Sequence, residues 1–304
     1  MTITANDLTF GIEIETHVSR ESNHRPSGYR RTNDYATRLP KFGNGSWMMT
    51  TDVTIACPSG RTDCEFVSPI LKGADGLRNV MTAVQKMREE TPDGCGAKVN
   101  YSCGIHVHVQ FPTNDLKALR RLVHLVAAFE GGLYAASGTK SREQSRWCRS
   151  IKETHKGING NKSNLREVIN DSGVSLNHRY VSLNLVPFIA GTRPTVEFRC
   201  FSGSLNETKI AGYVQMCIGM VEMALSMKSV AHWDSGLAGP TYGKDAGPGE
   251  REFNRLMKRL GWSGLMNKRS TADRGILTDE TGDLPTKRRM LNKMRAMARK
   301  YDAA

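Results

Sequence analysis

The chain contains no apolar run approaching the roughly 20 residues that a bilayer-spanning helix needs. Its opening residues, MTITANDLTF, lack the basic start and apolar stretch of a secretory signal. Both absences lead to the expectation of a soluble protein from a reducing compartment, the cytoplasm. None of the seven cysteines (Cys57, Cys64, Cys95, Cys103, Cys148, Cys200, Cys217) forms a CxxC pair, so neither a zinc knuckle nor a redox motif is present. Several sit in apolar stretches such as DCEFV, FRCF and QMCIGM, where free cysteine behaves as a small hydrophobe. There is no HExxH pattern of a zinc hydrolase, no internal repeat and no low-complexity segment.

What is there suits a globular enzyme or binding protein. The 304 residues are 38% apolar with 29 glycines, enough to build a core and too apolar for a disordered chain. Length allows one large domain or two ordinary ones. The net charge of +13 is unevenly spread. Residues 249–304 carry 14 Lys/Arg against 7 Asp/Glu, and residues 139–184 carry 9 against 4. Such patches suit nucleic acid, nucleotides or another polyanion. The alternative is that these cations simply solubilise a helical surface.

Alternating strands dominate the first two hundred residues. In LTFGIEIETHV, Phe10, Ile12 and Ile14 point one way while Gly11, Glu13 and Glu15 point the other. CEFVSPIL is a strand ended by Ser68-Pro69, GIHVHVQF alternates again, and RYVSLNLV and PTVEFRCF supply two more strands. Helical spacing covers 73–90 with Asp75 as N-cap, 114–137 behind an Asn or Asp cap, and about 207–227. Residues 138–178 have no steady period and form a long basic loop with a short helix or two, and residues 233–250 are a Gly/Pro-rich connector. Beyond it, EREFNRLMKRLGW is a short helix closed by Gly261. Met290, Met294, Met297 and Tyr301 make an amphipathic stripe on a second helix, which docks on the main domain or on a partner. The expected division is thus a core of 1–232, a connector of 233–250 and a basic helical extension of 251–304.

Ionisable residues on one face of a strand are the informative feature, because burying unpaired charge is costly. Glu13 and Glu15 leave the same side of their strand, as do His106 and His108, and Glu197 and Arg199, while Glu65 sits between apolar neighbours. Carboxylates that close repel unless neutralised, and divalent cations are their usual partners. A solvated sheet face is the other reading of each pair taken singly. Three carboxylates with an imidazole would suit Mg²⁺ or Mn²⁺ holding phosphate oxygens.

The ordered set FGIEIE, SWMMTTDVTI, DCEFVSPIL, CGIHVHV, RYVSLNL and PTVEFRCFSGSL resembles the amidoligase family, within the glutamine synthetase and gamma-glutamylcysteine ligase-like superfamily of carboxylate–amine ligases. The resemblance runs from about residue 10 to 227. It implies an α+β fold, a glutamine synthetase-like curved antiparallel β-sheet with helices on its outer face, to which this chain adds a C-terminal helical extension. It implies ATP with Mg²⁺ (or Mn²⁺), and an acyl phosphate that an amine converts to an amide. By the same resemblance Glu13, Glu15, Glu65, His106 and Glu197 are metal ligands, His108 lies beside the nucleotide, and Arg199 meets the transferring phosphate. Asp52 orients or deprotonates the amine. Arg142, Arg146, Arg149 and Arg179 are candidates for phosphate or carboxylate contacts, with Arg146 and Arg179 assigned to the nucleotide. Residues 138–178 are either a lid over the site or plain surface.

The partners expected are an acid and an amine, with nucleic acid or protein as a substrate that the basic tail could recruit. Ring or dimer assembly is known in that superfamily, but no feature of this sequence fixes a symmetry. A non-enzymatic nucleic-acid-binding protein, and a kinase using the same sheet face, are the competing readings.

Overall fold

Strict alternation in the first strand has a direct structural outcome: one face of a single sheet is apolar and the other is ionisable. The computed structural model describes residues 3–27, 37–39, 42–43, 46–91, 93–151, 179–191, 193–228, 246–262, 273–277 and 279–304. The expected loop at 138–178 and connector at 233–250 therefore fall largely outside the described residues.

The strands are β1 (Thr9–Ser19), β2 (Thr37–Leu39), β3 (Trp47–Thr50), β4 (Arg61–Val67), β5 (Leu71–Lys72), β6 (Gly104–Gln110), β7 (Leu183–Asn184) and β8 (Thr195–Ser202). They pair antiparallel in the order β2-β3-β4-β1-β6-β8-β7, with β5 also on β1. The fold is α+β. Among the described residues no helix is long and apolar enough to cross a membrane.

Phe10, Ile12, Ile14, Phe66, Ile105, Val107, Val196 and Phe198 fill the apolar face and are buried. Each such side chain contributes roughly 1.5–3 kcal/mol by leaving water. Helices cover this face: α1 (Gly73–Arg88), α2 (Leu116–Ser137) and α4 (Glu207–Ser226), with the four-residue turn α3 (Val186–Ile189) beside β8. Asp115 caps α2 by accepting from the Lys117 N–H at 2.8 Å, and Gly138 ends it at a φ of 79°. Asn206 caps α4 through the Lys209 N–H at 3.0 Å.

Two local expectations change. Asp75 is not the cap of α1: the helix starts two residues earlier, at Gly73, and Asp75 in its first turn pairs with Arg78 instead. The strand expected over RYVSLNLV is only two residues long, because the Asn184 Oδ1 accepts from the Val186 N–H and Pro187 turns the chain into α3.

Behind the first helix layer lie α5 (Pro248–Arg259) and α6 (Lys287–Ala303). Both pack on α2, and α6 also reaches α4. Met290, Met294 and Tyr301 of the expected stripe are buried in the same core as the sheet residues, whereas Met297 is half-buried. Six cysteines are buried free thiols and Cys57 is exposed.

Candidate active site

Pairing register builds the site. Glu13 lies opposite His106, Glu15 opposite Glu65, and His108 opposite Glu197. Directly opposed residues of antiparallel strands share a face, so all of these side chains meet on the ionisable side. The register shifts between the Ile105–Phe201 and Val107–Phe198 pairs. Two residues of β8, Arg199 and Cys200, thereby oppose the single His106. This bulge keeps Arg199 with the ionisable groups while Cys200 and Phe201 both enter the core.

His106 is the centre. Its Nδ1 is 3.0 Å from Glu13, 3.5 Å from Glu197 and 4.0 Å from Glu65, and its Nε2 is 3.3 Å from Glu15. His108 Nε2 is 3.3 Å from Glu13. Ligand-type atoms of Glu13, His106 and Glu197 lie within 4.8 Å of one another, and so do those of Glu15, Glu65 and His106. The donor set is carboxylate oxygen with one imidazole, which fits a hard divalent cation such as Mg²⁺ or Mn²⁺ better than a thiolate-preferring metal. The two sets share His106, whose neutral ring has one nitrogen free to ligate, so the imidazole can serve one set at a time.

Electrostatics within the group separate its members. Burial, helped by the Arg199 charge, holds His106 below the ordinary imidazole value against the pull of Glu15 and Glu13. Burial also opposes charge on His108, but Glu13 and Glu197 outweigh it and raise its pKa. Glu197 is lowered to about 2: burial opposes its charge, and Arg199 with the two histidines more than compensates. The Arg199 guanidinium donates to Glu197 at 2.6 Å, and Asn184 Nδ2 donates to its other oxygen at 2.6 Å.

Of the four candidate arginines, Arg142 enters this group. Its Nη1 is 3.7 Å from Glu15, its Nη2 is 3.3 Å from His106 Nε2, and Nη2 also donates to the Arg199 carbonyl at 3.1 Å. Gly104 makes the approach possible, since a Cβ there would come within 2.5–2.7 Å of the guanidinium. The Gly104 N–H donates to Glu15 at 2.6 Å.

Among the described residues Arg146 and Arg179 make no ion pair with the histidine–glutamate group, and stand in a cluster of cations and rings. Arg146 stands over Trp147 at 4.5 Å, and Arg179 stands over Tyr180 at 5.0 Å while donating to its hydroxyl at 2.9 Å. The Tyr180 ring is also 5.9 Å from the Arg199 guanidinium, so this cluster borders the site at Arg199. Arg149 lines, with Arg146, Glu130 and Tyr134, a cavity of about 580 Å³. Asp52 is buried beyond the end of β3. Its carboxylate accepts from the Thr54 N–H and hydroxyl at 2.9 and 2.7 Å, and among the described residues it makes no ion pair with the histidine–glutamate group.

Sequence reasoning gave no role to Asn184, Gly104, Thr50 or Tyr180. Thr50 lies opposite Glu65, and its hydroxyl is buried with no hydrogen-bond partner among the described residues. Asn184 could have been found from the alternation of VSLNL, which puts it on the ionisable face. Thr50 follows three apolar residues, and it, Tyr180 and Gly104 carry no such signal.

Residues 6–221 match the family described as "Putative amidoligase enzyme". This match covers more than half of the chain, and the protein belongs to that family. Among solved structures, the crystal structure of a bifunctional glutathione synthetase from Pasteurella multocida is similar at a TM-score of 0.41 and 13% identity. That similarity covers 84% of this chain and 44% of the other, so this chain spans less than half the length of that enzyme. No curated protein sequence matches the chain.

Proposed function

We propose that the protein is an ATP- and Mg²⁺-dependent carboxylate–amine ligase that forms an amide through an acyl phosphate. Membership of the amidoligase family supports the reaction class. The observation that carries the reading is the convergence of Glu13, Glu15, Glu65 and Glu197, from three separate strands, on the single buried His106.

In this reading Glu13 and Glu197 with His106 would hold one cation, and Glu15 and Glu65 would supply carboxylate ligands to a second. Bound there, divalent ions offset the charge of phosphate oxygens, which is most of what phosphoryl transfer asks of a protein. Arg199, fixed by Glu197, presents its guanidinium to the transferring phosphoryl group. Arg142 fixes Glu15 and His106, and His108 lies beside the nucleotide. Arg146 and Arg179 are assigned to a substrate carboxylate or phosphate, a reading supported by the Tyr180 ring that meets both Arg179 and Arg199. A substrate carboxylate oxygen attacks the γ-phosphorus and ADP leaves. The amine nitrogen then attacks the acyl carbon, phosphate leaves, and the amine gives up a proton, for which Asp52 is the assigned acceptor.

The test is phosphate release and product mass from the purified protein with ATP, Mg²⁺ and pools of acids and amines. Glu13→Gln and Glu197→Gln are expected to fold normally and to lose turnover and Mn²⁺ binding together. Full activity in both variants would overturn the assignment. A phosphorylated product without an amide would identify a kinase in its place.

A further inference from the structure

Helix α6 departs from the usual charge pattern of a helix. Its first turn holds Lys287, Arg288 and Arg289 and no acid, although the helix dipole favours anions at that end. Seven of its 17 residues are Lys or Arg and one, Asp302, is acidic. Asp302 is turned inward, accepting the Gly249 and Glu250 N–H groups at 2.6 and 3.0 Å. Three of the cations are engaged: Lys287 with Asp273 at 2.6 Å, Arg299 with Glu250 at 3.0 Å, and Arg295 with Asn254 at 3.2 Å.

Arg288, Arg289, Lys293 and Lys300 form no ion pair among the described residues. Arg289 and Lys293 are spaced i,i+4, where like charges destabilise a helix. Two more lysines flank them. Lys140 stands 5.7 Å over the Tyr301 ring. Lys209, largely buried at the start of α4, has its pKa lowered to about 8 by burial and by the Lys293 and Lys300 charges. Cations gathered in this way repel one another, and an extended anion laid across them would relieve the repulsion.

The chemistry of the face selects among anions. The large apolar side chains of α6 point into the core, and the exposed ones among the described residues, Val53, Ile70 and Tyr101, all lie elsewhere. A helix that enters a bilayer surface needs exposed apolar residues beside its cations, and a single-strand binder needs exposed rings for base stacking. This face offers neither. It offers cations along a 17-residue helix, about 25 Å long at roughly 1.5 Å per residue, which matches about seven base pairs of a duplex backbone.

We propose that the solvent side of α6, with Arg289, Lys293 and Lys300 along one stripe and Arg288 beside it, flanked by Lys140 and Lys209, docks on the phosphate backbone of a nucleic-acid duplex. The inference does not rest on the ligase reading. It does bear on it, because Lys140 and Glu143 touch Tyr301 of α6 from the loop that carries Arg142 to Glu15. A duplex on this face therefore lies beside that loop.

The experiment is fluorescence anisotropy of the full-length protein with a labelled mixed-sequence DNA duplex of about 25 base pairs over a salt series. The comparison is a variant with Arg288, Arg289, Lys293 and Lys300 all changed to Gln. The wild type is expected to bind with log K falling steeply with log salt, and the variant to lose about four from that slope and tenfold or more in affinity. Its circular dichroism should match the wild type, because the removed charges repel one another. Its ATP-dependent phosphate release on small substrates should be unchanged, since none of the four residues belongs to the candidate site.

No duplex binding by the wild type at about 50 mM salt, or equal binding and slope in the variant, would overturn the proposal. Binding to phosphatidylserine-containing vesicles but not to the duplex would overturn it too.

Discussion

Gly104 has no side chain, and the Arg142 guanidinium occupies the space a methyl group would take. The guanidinium is the far end of a long side chain, so an added Cβ would push it aside at little cost to the fold while moving it from Glu15 and His106. Gly104→Ala should therefore fall within about 1 kcal/mol of wild type in chemical denaturation and yet lose ATP-dependent turnover by roughly tenfold or more. A matching loss of stability and turnover would show that Gly104 serves the fold. The contrast between Arg142 and the glutamates also shows what sequence can convey at this scale. Glu13, Glu15, Glu65, His106, His108, Glu197 and Arg199 could be grouped because strand alternation fixes the face of each. Arg142 could be proposed only as one of four, because its segment has no period from which to read a direction. Asp52 sits past the last alternating residue of β3, where a turn through Thr54 sets its carboxylate.

At the scale of elements, the junction of α2, α4 and α6 holds a lysine where the packing would favour an apolar residue. Lys209 donates to the Ser137 carbonyl at the end of α2, at 3.3 Å, and faces Lys293 and Lys300 of α6. The unfolded chain keeps this proton up to the ordinary value of 10.5, whereas the folded protein releases it near 8. Between those values the unfolded state binds more protons, so this residue makes stability rise with pH there; below 8 its cost is fully present. Lys209→Met should accordingly be more stable than wild type at pH 7, with the gap closing as the pH passes from 8 toward 10.5 in thermal melts. A constant gap across that range would place the cause elsewhere. Helix existence was legible from periodicity, and for α2 from its cap as well, as Asp115 shows. The start of α1 was not, because Gly73, with a φ of 58°, admits a turn ahead of the acid that looked like its cap.

For the molecule as a whole, the basic C-terminal segment shares a core with the sheet. Met294 is fully buried and lies against Gly212, where a Cβ would come within 2.6 Å of its sulfur. Glu252 backs onto Gly132 just as closely, its carbonyl oxygen 2.7 Å from where a Cβ would stand. Met294→Ala should cost about 2–5 kcal/mol in urea denaturation. A cost below about 1 kcal/mol would mean that α6 is only loosely seated. Deleting residues 250–304 would strip a face of α2, so the tail's charges have to be neutralised rather than cut away. The sequence left open whether this helix docks on the main domain or on a partner, because a stripe of methionines among many cations does not say what will cover it.

The sheet also gathers its chemistry around one ring. Residues from position 13 to position 197 converge on His106, which is a member of both possible ligand sets. A descendant chain could shed Glu65 or Glu13 and keep the opposite half of the arrangement. Losing the imidazole would dismantle both halves at once, so among relatives position 106 should be the last of these residues to drift.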